Sequence, residues 1–266
     1  MNIQKYTQNK KHALRRFIAV AVPAVLVLIA VQYIVLSLVS ARKALRAVYE
    51  LEDVQLLSGT FAGDTSYVSL YKEKTWLETR FQIAKTDSIS LSVNLKDSVL
   101  QLELKGVVLK TSPLIDFKAD QFFQQLSPAA YHHFFGVQAV GESALSSIPK
   151  EPLIVKKAPK DTVEFNAQSH IEKDTLKSEA VHWLVKLDNG IVLKIEGTDE
   201  LADDDWMAGK KFWWKQDFDQ MKTDMRKTLF FKTPDYQPVI SMVVSEADAK
   251  AIYRALPQHP LICIRF

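Results

Sequence analysis

Cys263 is the side chain best equipped for covalent chemistry: it is the one cysteine among 266 residues, and His259 lies four positions before it. A thiol becomes a nucleophile when water can reach it and a nearby base lowers its pKa. Here the cysteine lies within Leu261-Ile262-Cys263-Ile264, an apolar strand pattern, and free cysteines are among the most buried residues. Inert packing is the favoured reading, with a Cys263 nucleophile as the alternative. His132-His133 could suggest a metal, but neighbours on a helix point about 100° apart, and no HExxH string accompanies them. His170 and His182 stand alone. The acidic run Asp199, Glu200, Asp203, Asp204, Asp205 lacks the alternating oxygen donors, glycine bend and distal glutamate of a calcium loop, and reads as a solvated loop. No catalytic residue, metal or cofactor is assigned.

The strongest candidate for an interaction follows that run. Trp206, Trp213 and Trp214 sit among Lys210 and Lys211, with Phe212 and Lys215 beside them. Mixed aromatic and basic surfaces stack on sugars or bind partners. The competing reading is a helix that packs its indoles on a sheet.

These residues need elements to position them. A composition of 47% hydrophobic and 24% charged residues is that of a folded domain and excludes a disordered chain. Only 8 glycines occur, without a GxGxxG or GxxxxGK[ST] string, so a phosphate-cradling loop is not expected. The single cysteine excludes an intrachain disulfide and any CxxC motif. The net charge of +3 divides into +8 over residues 1–49, which carry no acid, and −5 over residues 50–266. The basic character belongs to the N-terminal arm, and no nucleic-acid partner is expected.

Between the basic groups, Phe17 to Val39 holds no charge. At about 1.5 Å per residue it spans roughly 34 Å, enough for a hydrocarbon core of about 30 Å. Val39-Ser40-Ala41 could be a signal-peptide cleavage site, but the apolar stretch is longer than a signal h-region and favours an uncleaved anchor. Five basic residues precede the span and three follow it, so the positive-inside rule sets the N-terminus in the cytoplasm. The expected organisation is a basic cytoplasmic tail at 1–16, a transmembrane helix at 17–39, a juxtamembrane helical stalk at 40–58 and an extracytoplasmic, periplasmic domain at 60–266. The protein would be single-pass in the inner membrane.

Within the stalk, Leu45, Val48, Leu51 and Gln55 follow helical spacing. The stalk could dimerise the chain, or pack on its own domain. From Phe81 the period becomes two, with strands at 88–93, 99–104 and from 107. Phe117 to Phe135 reads as helical, broken at Ser127-Pro128. Leu153-Ile154-Val155, among three prolines, reads as an extended edge. Asp188-Asn189-Gly190 marks a hairpin between 181–187 and 191–195. A helix over 206–228, a strand over 238–244, a helix over 246–256 and a strand over 261–266 complete an α+β fold.

The string Ser245-Glu-Ala-Asp-Ala-Lys-Ala-Ile-Tyr-Arg-Ala-Leu-Pro257, followed by Leu261-Ile-Cys-Ile264, resembles the end of the L,D-transpeptidase (YkuD-type) catalytic domain. Ser90 to Asn94 and Val99 to Val107 look like that domain's opening hairpin. The resemblance implies a β-rich mixed sheet with short helices and a peptidoglycan or cell-wall protein partner. In that family a His-Gly-Cys-Arg segment precedes the helix; here Gln237 to Val244 contains neither histidine nor cysteine. Cys263-Ile264-Arg265 lies after the helix instead, so no catalytic residue carries over. The resulting expectation is a membrane-anchored, non-catalytic envelope binding or scaffold protein. A divergent transpeptidase using Cys263 and a structural subunit of a membrane assembly, as a homodimer, are the alternatives.

Overall fold

The computed structural model describes residues 3–50, 65–150, 181–198 and 205–266. The predicted edge segment at Leu153–Val155, the stalk beyond Glu50, His170 and the acidic residues 199–204 lie outside the described residues. The chain divides into two units. One comprises Met1–Ala47 with Gln216–Tyr236, and the other Val48–Lys215 with Gln237–Phe266.

The first unit is built on α1 (Ile3–Glu50), which runs without a break through Pro23. Its stretch Ala19–Ala44 is long and apolar enough to cross a membrane. Most of that stretch is exposed, Leu28 and Val20 among its large side chains. A stripe of half-buried Ile29, Gln32 and Leu36 and buried Ser40 recurs every three or four residues, the spacing of one helix face.

The second unit is a nine-stranded mixed sheet with helices against it. Its strands are β1 (Ser90–Asn94), β2 (Val99–Leu104), β3 (Val107–Pro113), β4 (Asp116–Ala119), β5 (Ala139–Ser146), β6 (His182–Leu187), β7 (Val192–Thr198), β8 (Val239–Ser245) and β9 (Leu261–Arg265). They lie in the order β3-β2-β1-β9-β5-β6-β7-β8-β4, with β1/β9 and β7/β8 parallel and the other pairs antiparallel. The two edge strands are consecutive in sequence, with only Leu114 and Ile115 between them. At about 3.5 Å per residue their facing ends lie within roughly 10 Å, so the sheet must curl back on itself. Successive amides close the seam: Leu114 N–H donates to the Ser98 carbonyl, and Ile115 N–H donates to that of Val243 on β8.

The opposite corner is β5. Ala139 and Val140 pair with β9, while Gly141 to Ser146 pair with β6 across a register shift. A Cβ at Gly141 would stand 2.7 Å from Pro260 Cδ and 2.9 Å from Val185 Cγ1, so only glycine permits this approach. The β6–β7 hairpin turns through Gly190 at φ +82°, the left-handed conformation that the Asp-Asn-Gly string predicts.

The interior is lined by Leu91, Val93, Trp183, Leu193, Ile195, Ile240, Met242, Ile262 and Ile264, all buried. Helix α2 (Thr65–Ala84) packs on β9, with Trp76 and Ile83 against Cys263. Helix α3 (Pro128–Phe135) starts at Ser127, whose hydroxyl accepts the Ala130 N–H, with Pro128 in its first turn. Helix α4 (Asp205–Leu229) extends the predicted 206–228 helix by one residue at each end. Helix α5 (Glu246–Ala255) is capped by Ser245 and leads into β9, as its sequence predicts.

Two local readings change. Phe117 belongs to strand β4 and Gln121–Gln125 to a 3-10 turn, so the helix of this region begins only at Pro128. Strand β4 forms because β8 offers it a ladder edge, with Phe117 opposite Met242; tertiary pairing overrides local pattern. Phe81 to Ala84 are the last turn of α2, so the two-residue period begins at β1.

Candidate functional site

The aromatic-basic cluster is split by the helix that carries it. On α4, Trp213 turns toward the sheet: its ring meets His182 of β6 edge-on at 5.8 Å, and Lys194 of β7 lies 5.2 Å over it. Phe212 stacks on the same imidazole at 6.0 Å. Gly209 permits this seating, since a Cβ there would stand 2.6 Å from His182 Nε2. Trp214, about 100° further round the helix, is 78% exposed, and Lys210 and Lys211 are exposed as well. Trp213 is therefore half core and Trp214 is surface, a division that adjacent residues on a helix impose. The side chain of Trp206 lies outside the described residues.

Cys263 is packed between β1 and α2 and is 4% exposed. Burial pushes its thiol from the ordinary 9.0 up to about 11. His259 does not face it as a base; its Nδ1 lies 2.9 Å from the Gly141 carbonyl, holding the β5 corner. The charges around α2 are structural. The Arg80 guanidinium donates to buried Glu103 at 2.8 Å and lies 5.3 Å from the Trp76 ring. Arg265 lies 4.9 Å from the same ring and pairs with Glu73 and Asp97, each at 3.3 Å. Two guanidinium groups thus lie within cation–π range of the Trp76 ring.

An open groove of about 460 Å³ lies along α2 beside His132 of α3, lined by Tyr67, Leu70, Tyr71, Lys74, Thr75, Glu78 and His132. Apart from His132, these recur at three- and four-residue intervals, one helix face. That spacing is the signal by which sequence could have found them. The Tyr71 ring is tilted against the His132 imidazole at 6.4 Å. Burial, with Tyr67 and Glu78 nearby, raises the Tyr71 phenol above its usual pKa. Lys74 and Glu78 face each other at 3.7 Å in solvent. The groove offers aromatic faces, an ammonium, a carboxylate, an imidazole and the Leu70 side chain. That set can hold a ligand with both polar and apolar faces.

Among the described residues, no three His, Cys, Asp or Glu side chains gather closely enough to hold a metal ion. His133 is exposed, its ring edge-on to Phe134. Comparison with protein-family models, with curated proteins and with solved structures gave no match to this chain.

Proposed function

We propose that the protein is a single-pass membrane protein of the cell envelope, whose curled β-sheet unit acts outside the cytoplasm as a binding module and not as an enzyme. The observation that carries this reading is the uncharged surface of α1. Across Phe17 to Val39 no charge interrupts it, and most of its described large aliphatic side chains, Val20, Leu28 and Ile34 among them, are exposed. Leaving such side chains in water costs about 1.5–3 kcal/mol each relative to burial. A bilayer removes that cost. The excess of basic residues before the span supports a cytoplasmic N-terminus.

The binding role rests on the α2 groove and on the Trp214, Lys210 and Lys211 surface of α4. The likeness of Ser245–Pro257 to the L,D-transpeptidase terminus supports a cell-wall glycopeptide as the ligand class, and a degenerate form of that fold. The transpeptidase reading through Cys263 gains no support from a buried thiol without a facing base. The test uses the full chain with an N-terminal tag. It should stay with membranes through alkaline carbonate, and protease added to spheroplasts should digest the sheet unit while sparing the tag. Release into the soluble fraction would sink the anchor, and a protected sheet unit would sink the orientation.

A further inference from the structure

The unit that contains α1 also contains Gln216–Tyr236, the end of α4 and the chain that leaves it. Two hydrogen bonds set their mutual level. The Gln32 amide donates to the Thr228 carbonyl at 2.8 Å, and the Ser40 hydroxyl donates to the Pro234 carbonyl at 2.6 Å. Gln32 lies near the middle of Ala19–Ala44. It precedes Val39 by seven residues, which is about 10 Å along a helix. A carbonyl bonded to Gln32 shares its depth. Wherever α1 crosses a bilayer, the last turn of α4 therefore lies inside the hydrocarbon, and the chain from Thr228 to Pro234 climbs back toward its edge.

We propose that the end of α4, with the Phe230-Phe231 pair, inserts among the lipid acyl chains beside α1 as a second, re-entrant membrane contact. The proposal rests on the reading of α1 as a membrane span. Phe230 and Phe231 are 77% and 80% exposed, and Leu229 is exposed with them. At the end of α4 the amides of residues 230 to 232 are paired internally, as lipid demands of a backbone. Lys232 N–H donates to the Lys227 carbonyl and Phe231 N–H to that of Thr228, each at 2.9 Å, the two bonds of a Schellman cap.

That cap places Phe231 at φ +55°, a position usually held by glycine and uncommon for a bulky side chain. In water this conformation would only display a phenyl ring to solvent. Against acyl chains, the same ring gains burial. Arg226 and Lys232 are exposed on the same turn and Lys227 is half-buried. Lys227 is also neutralised by Asp235 at 2.6 Å.

The test is the full chain reconstituted in phosphatidylcholine–phosphatidylglycerol vesicles on a Cys263→Ala background. Single-cysteine variants Leu28→Cys, Phe230→Cys and Lys96→Cys carry a bimane label. Leu28 reports the span, and exposed Lys96, in the β1–β2 turn, reports water. Nitroxide lipids labelled midway along the acyl chain should quench the Leu28 and Phe230 probes several-fold more strongly than aqueous iodide does, and the Lys96 probe should show the reverse. A Phe230 probe that follows Lys96 while Leu28 stays in lipid overturns the insertion and leaves the span intact. A Leu28 probe that follows Lys96 overturns the span, and the insertion beside it falls too. Leu229→Cys is a second probe of the same turn, and helicity by circular dichroism checks that each variant folds.

Discussion

The Cys263 thiol should behave as a buried proton store whose loss weakens the fold at alkaline pH. The perturbation is a pH rise from 8 to 11 on the native chain and on Cys263→Ala. Burial between β1 and α2 raises the thiol from the ordinary 9.0 to about 11. The folded state therefore keeps a proton that the unfolded state gives up above about 9. The thiol's contribution is fully present below the unfolded value and is lost as pH climbs through the folded one. At 1.36 kcal/mol per pH unit the effect is at most roughly 3 kcal/mol. Melting of the native chain and of Cys263→Ala across this range should show the native advantage shrinking with pH. Alkylation followed by intact mass gives a second reading. At pH 8 the native thiolate fraction is about a hundredth of that in the unfolded chain, since each pH unit is a factor of about ten, and labelling should slow by at least that factor. A native rate within a few-fold of the unfolded one would refute the burial argument and restore Cys263 as a candidate nucleophile.

Two further perturbations test how the helices are seated. Arg80→Ala strands the Glu103 carboxylate, which is 3% exposed and paired at 2.8 Å, and should lower stability by about 3 kcal/mol; Arg80→Met with Glu103→Leu should recover most of it in thermal melts, and an unaffected single variant would show the pair to be solvated. Gly209→Ala sets a gain of about 1 kcal/mol in helix propensity against overpacking of about 1–3 kcal/mol from a Cβ 2.6 Å from His182 Nε2. It should destabilise the native chain and become stabilising on a His182→Ala background; stabilisation in both would mean that α4 does not rest on that imidazole.

Local pattern made the hairpins legible. Alternation in β1 and β2 and the Asp-Asn-Gly turn are consequences of pleat and of positive φ, both written in short stretches of sequence. Helix α2 was not legible, because its buried line is Thr75, Trp76, Thr79 and Ile83 while Leu70, Leu77 and Phe81 stand exposed. Two threonines on the inner face erase the apolar period, and they are tolerated because the Thr79 hydroxyl reaches the carbonyls of Thr75 and Phe135 at 3.0 and 2.9 Å. The groove on that helix was missed with it. Curling of the sheet was hidden for another reason: the β1/β9 ladder joins Ser90 to Leu261, and no local signal encodes so distant a register. On α4 the aromatic residues were visible, but which indole faces inward depends on Gly209 and His182, residues whose role is purely geometric.

Exposed apolar side chains have two different meanings in this chain, and charge separates them. On α2, Leu70, Leu77 and Phe81 stand among Lys74 and Glu78, and the ammonium of Lys85, just past the helix end, lies 4.7 Å over the Phe81 ring. Water can solvate such a face, and it suits a reversible ligand or partner. On α1 no ionisable group but Tyr33 lies between Arg16 and Arg42, and the polar atoms of Gln32 and Ser40 are turned onto carbonyls of residues 228 and 234. A helix built for water would have no need to hide its amide and hydroxyl while leaving its aliphatic side chains uncovered. Hiding the polar groups and exposing the apolar ones is the order expected of a helix in lipid, and it is the pattern on which the proposed membrane span and the proposed contact at the end of α4 both rest.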